Sequence, residues 1–96
     1  MGWASWTTVA VFAGRGGVLT QEGVTLGGEL DIHTTWAEGH ADVAVQYRGG
    51  SEWLVMAGSP APCPSEEASR GLHDAVVEAV RRGNAATVPA PAPVSG

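Results

Sequence analysis

The sequence contains no lysine: its five basic residues are all arginines, set against ten Asp and Glu, and the formal net charge is −5. So acidic a chain has little with which to neutralise a run of phosphates, which argues against duplex nucleic acid as a partner. Charge of either sign is scarce, at 16% of residues against roughly 25% in ordinary globular chains. With 44% hydrophobic residues beside it, that excludes charge-driven disorder over most of the length. Cys63 is the one cysteine, so no intramolecular disulfide can form, and a reducing cytoplasm is the expected compartment. No apolar run approaches the roughly 20 residues that span a bilayer, and Met1 to Gly14 has no basic segment of the signal-peptide kind. The expectation is a soluble, unprocessed chain with no membrane partner. No stretch carries a motif that fixes a reaction, so no enzymatic activity, catalytic residue, metal or cofactor is assigned.

What is present is punctuation. Ten of the 14 glycines fall between Gly14 and Gly58, and all six prolines fall after residue 59, in two clusters at Pro60–Pro64 and Pro89–Pro93. The glycines cut the first part of the chain into short apolar segments bounded by turn signals, which is the spacing of an antiparallel meander. Strands are predicted at about Trp6 to Ala13, Gly17 to Thr20, Val24 to Leu26, Glu29 to Trp36, Ala41 to Arg48 and Glu52 to Ala57. From Ser65 the apolar period becomes 3.6, with Ala68, Leu72, Ala75, Val76, Ala79 and Val80 on one stripe. Ser65 as N-cap, Glu66 and Glu67 in the first turn, and Arg81, Arg82 and Gly83 at the end bound one amphipathic helix. The fold class is therefore α+β: an antiparallel meander of five to six strands packed on one C-terminal helix. Residues 1–83 are the predicted domain. Residues 84–96, rich in Pro and Ala and without charge, are a predicted flexible, disordered tail. A domain this small has a marginal core, which makes a homodimer an expectation from size alone.

One register is legible residue by residue. Leu30, Ile32, Thr34 and Trp36 alternate with Glu29, Asp31, His33 and Thr35, and Ala41, Val43, Val45 and Tyr47 alternate with Asp42, Ala44, Gln46 and Arg48. A four-residue loop, Ala37 to His40, sets Leu30 opposite Tyr47, Ile32 opposite Val45 and Thr34 opposite Val43, whereas a three-residue loop opposes apolar to polar throughout. The same register sets Glu29 beside Arg48 on the outer face. Gly49 and Gly50 then turn the chain back so that Leu54 and Met56 join the apolar face. Trp53 and Val55 land on the other face, near Gln46, Ala44 and His33. Gly71, costly inside a helix, is expected to mark close packing against a bulky residue such as Trp36.

The candidate site residues follow from that register. Trp53, Val55, Ala44 and Gln46 form an apolar patch on the outer sheet face, and an exposed tryptophan offers large rigid contact area at small entropic cost. They point to a small non-enzymatic protein-interaction module that self-associates through the outer sheet face, its partner a second copy in a homodimer or another protein. The alternative is a small-ligand or metal-binding protein in which Asp31, His33, His40 and Asp42 converge, since imidazole with carboxylate suits zinc or nickel. Strand neighbours two apart sit roughly 7 Å apart, so convergence there requires a bend. Ala13 to Gly17 resembles a phosphate-cradling loop in its glycines and Arg15, but no helix period follows it. Cys63, two residues before the N-cap, has no nearby base in the sequence to make it a nucleophile.

Overall fold

The computed structural model describes residues 2–89, and its central hairpin carries the register read from the sequence. β4 (Glu29–Ala37) and β5 (His40–Tyr47) are antiparallel, with Leu30 opposite Tyr47, Ile32 opposite Val45 and Thr34 opposite Val43. Pairing continues through Trp36–Ala41 and Ala37–His40, so the loop is the two residues Glu38 and Gly39, both at positive φ (52° and 80°), rather than four. Such a two-residue turn follows the right-handed twist of the strands, and shortening the loop by two keeps every side chain on its expected face. Arg48 departs from expectation in one respect. Its backbone N–H donates to Glu29 O, but its guanidinium reaches Asp31 at 3.2 Å instead of the Glu29 carboxylate.

β1 (Trp3–Phe12) lies on the far side of β4, and β6 (Leu54–Val55) beside β5, giving the order β1-β4-β5-β6. β7 (Ala61–Pro62), in the first proline cluster and unexpected there, pairs with the start of β5 and completes a five-stranded antiparallel sheet. β2 (Val18–Leu19) and β3 (Thr25–Leu26) form a separate two-stranded sheet. Between Thr8 and Val11 the register of β1 shifts: three residues advance against two of β4, and Ala10 takes a φ of 58°. The extra residue returns Val11 to the inner face, where it is buried, and turns Phe12 outward.

The single helix among the described residues, α1 (Glu66–Arg82), covers the inner face against β1 and β4. Ser65 caps it by accepting from Ala68 N at 3.1 Å. Leu72, Val76 and Val80 reach the core that holds Leu30, Ile32 and Val45, with Leu54 packed at its margin. Gly71 corrects an expectation: a side chain there meets open space, not Trp36. The indole of Trp36 is half-buried instead, and its Nε1 donates to Cys63 O at 3.0 Å.

The helix closes on the glycine loop. Gly14 N donates to Val80 O, and Asn84 N donates to Arg15 O. A methyl group on Gly14 would sit 2.4 Å from Arg81 O, and one on Gly83 2.3 Å from Arg15 O, so glycine is required for the two segments to approach. Beyond Gly83 the chain continues into the domain, contrary to a tail beginning at residue 84. Ala86 N donates to Gly17 O, Leu19 N to Ala86 O and Val88 N to Ala57 O, and Ala86 and Val88 are both buried. Residues 90–96, the rest of the expected tail, lie outside the described residues.

Two thermal melts test this boundary. Leu72→Ala should cost about 2–5 kcal/mol as a large-to-small core change. Truncation after Asn84, which removes Ala86 and Val88 from the core, should also lower the midpoint clearly. A truncated chain that melts with the full one would show that residues 85–89 contribute nothing.

Candidate interaction surface

With α1 on the inner face, the outer face of the sheet has no second layer among the described residues. Its side chains follow from the register: Trp3, Ser5 and Thr7 on β1, Thr35, His33 and Asp31 on β4, then Asp42, Ala44 and Gln46 on β5, and Val55 on β6. The four residues of the expected patch are brought together. Val55 lies opposite Ala44, and Gln46 lies opposite Asp31, with its Nε2 3.4 Å from Asp31 Oδ2. Trp53 packs its ring against His33, centroids 5.9 Å apart, and His33 lies opposite Ala44. Trp53 remains 44% exposed and Val55 42%. β1 does not fold over them, because it is spent extending the sheet at the other side of β4.

The surface is apolar at the β5–β6 end and polar across its middle, where Thr7 Oγ1 and His33 Nδ1 lie 2.7 Å apart; on β1 itself Trp3 and Phe12 are exposed at the two ends of the strand. That hydrogen bond anchors the imidazole against which the indole leans, the two rings inclined at 55°.

The four residues of the metal alternative are not assembled. Asp31 is buried and engaged: it accepts from Ala10 N at 3.0 Å at the bulge, and from Arg48 and Gln46. His40 pairs with Ala37 at the turn, and Asp42 with Thr35. Among the described residues no three His, Cys, Asp or Glu side chains come together as a metal site. Cys63 is buried, its thiol directed at Ser65 O. The glycine loop lines an open cavity of about 360 Å³ with Thr25, Leu26 and Gly27. That loop abuts the carbonyl end of α1, whose partial charge is negative, which is the wrong end of a helix for a phosphate.

The reading of the sequence missed a polar seam between helix and sheet. Buried His73 lies between two hydroxyls, Thr8 Oγ1 at 2.8 Å from Nε2 and Thr34 Oγ1 at 2.8 Å from Nδ1. One turn earlier Ser69 Oγ accepts from Trp6 Nε1 at 3.0 Å. Its signal was the helical spacing of Ser69, His73, Val76 and Val80, which sets two polar residues on the buried stripe.

No protein-family model, curated protein or solved structure matches the chain. No helix among the described residues is long and apolar enough to cross a membrane.

Two titrations separate the seam from the bulge. Burial holds the His73 imidazole below its usual 6.5, Asp74 opposing and His33 adding to the depression. The unfolded chain then binds the proton more readily, so the stability contributed is full above about pH 6.5 and is lost as the pH falls below it. Asp31 is lowered from 3.8 by the Ala10 N–H first, and by Arg48 and Gln46, against the opposing effect of burial. Its contribution is present above that value and lost as the pH falls through the lowered one. Thermal midpoints should therefore decline in two steps, the upper removed in His73→Gln and the lower in Asp31→Asn. A midpoint flat from pH 7 to about 5 would exclude the buried imidazole as a stability determinant.

Proposed function

We propose that this chain is a small non-enzymatic protein-interaction module that docks a protein partner, a second copy of itself included, through the outer face of its sheet around Trp53, Val55, Ala44 and Gln46. The observation that carries the reading is Trp53 itself: a large indole, 44% exposed, braced by His33 and flanked by Val55 on an uncovered sheet face. An isolated exposed apolar residue is ordinary on any protein, but a braced tryptophan beside other apolar groups is the composition of an interface centre. The polar rim of Gln46, Thr7 and Thr35 supplies hydrogen-bonding groups around it. Buried, unpaired Cys63 fits a reducing compartment, and the cytoplasm belongs to this reading.

Trp53→Ala should weaken association by about 2 kcal/mol or more while leaving the fold intact, because the indole is half solvated in the free domain. Sedimentation of the wild-type chain, with Trp53 fluorescence read as candidate partners are added, measures it. A strict monomer at high concentration with unchanged fluorescence defeats the reading.

A further inference from the structure

We infer that the free edge of β1 is a second association surface, separate from the outer face, and that its occupant is the same edge of a second copy of this chain, added antiparallel. Among the described residues β1 is paired on one side only, to β4. Its ten residues contain no charge and no proline, and seven of them are Trp, Thr, Val or Phe, the residues that favour strands. Edge strands that remain single are blunted by charges, prolines, bulges or short length. Here the one such device is the bulge, and it lies beyond Thr8, leaving Trp3–Thr8 in regular register. The neutrality matters in a chain of net charge −5, since two copies meeting at this edge bring no like charges into the ladder.

The helix supplies the argument for a second copy over a foreign strand. α1 runs beside β1 in the same direction, Trp6 bonding Ser69 and Thr8 meeting His73 one turn later. At 100° per residue, a helix that buries Leu72, Val76 and Val80 carries Glu66 and Arg70 on one flank. That flank is the one beside β1, because the Arg70 guanidinium lies 5.8 Å from the Trp6 ring. A twofold axis through the middle of Trp3–Thr8 sets the first turns of the two helices antiparallel. Arg70 of each copy then faces Glu66 of the other, and the pair forms twice. The joined sheet holds ten strands, with both outer faces on the same side.

Sedimentation velocity on the full chain tests the inference with four variants. Wild type should be dimeric, or tetrameric if the outer face also associates. Ser5→Lys places a charge in the ladder at an exposed position, and Arg70→Glu sets acidic groups against each other. Each should weaken the edge contact about tenfold or more. The charge-reversed Glu66→Arg/Arg70→Glu double variant should recover it, and an unchanged melt of Ser5→Lys shows that the fold survives. Trp53→Ala should leave the edge dimer in place. A wild type that is monomeric throughout, or an association abolished by Trp53→Ala and indifferent to Ser5→Lys and Arg70→Glu, overturns the inference. The second of those outcomes leaves the outer-face reading standing.

Discussion

The turn at Glu38 and Gly39 fixes the parity of β4 against β5, and the other elements take their places from that parity. With Ile32 opposite Val45 and Thr34 opposite Val43, all four side chains are fully buried on the inner face, and His33 with Ala44 falls outside. A slip of one residue turns one strand over against the other, so that either Asp42 and Gln46 or Glu29 and His33 enter the inner face beside the partner strand's aliphatic residues. β4 is also the strand that receives β1, so an error there propagates across the sheet to the helix, whose His73 needs Thr8 and Thr34 side by side.

Asp31 shows how one polar residue serves that arrangement from the opposite face. The bulge in β1 leaves Ala10 N–H without a strand partner; Asp31 accepts it and is held in place by Gln46 of β5 and by Arg48 just past that strand's end. Three strands are thereby tied at one carboxylate, and the bulge they stabilise is what lets Val11 enter the core. The same engagement turns Asp31 toward Ala10, Arg48 and Gln46, and among the described residues no His, Cys, Asp or Glu cluster forms around it. A second tie lies just beyond the same end of β1, where Gly14 and Gly83 let the loop and the end of α1 approach closely enough to hydrogen-bond.

How much of this was legible in the sequence depended on range. The β4–β5 register was readable because two alternating patterns and a turn occupy one continuous stretch, and the helix ends were readable because caps act within a single turn. The apolar patch followed directly, since Trp53 and Val55 are placed by the same parity. The partner of β1 was not readable: an amphipathic strand fits the edge of any sheet, and the choice of β4 is made by Trp6 and Thr8 meeting Ser69 and His73, more than sixty residues away. Asn84 to Val88 was misread because Ala86 and Val88 are too small to announce burial. They are held by backbone hydrogen bonds to Gly17, Leu19 and Ala57, which leave no mark in side-chain composition.

The two faces of the sheet differ in a way that bears on why a domain this small leaves one uncovered. Its one helix satisfies the inner face, and an antiparallel sheet tolerates water on the other when that face is polar. Half of the outer face largely meets the condition: Ser5, Thr7, Thr35 and Asp42 lie there, with exposed Trp3 at the end of β1 the apolar exception. The other half does not, since Ala44, Val55 and Trp53 adjoin with no polar side chain between Val55 and its partner. Exposure of that half opposes stability in a chain whose core is limited by its length. A partner covering it would add buried apolar area where the domain itself has none to spare. The apolar end of the outer face and the uncharged edge of β1 are both local departures from what the fold needs to stand alone, and they lie on opposite sides of the sheet, so neither excludes the other from contact.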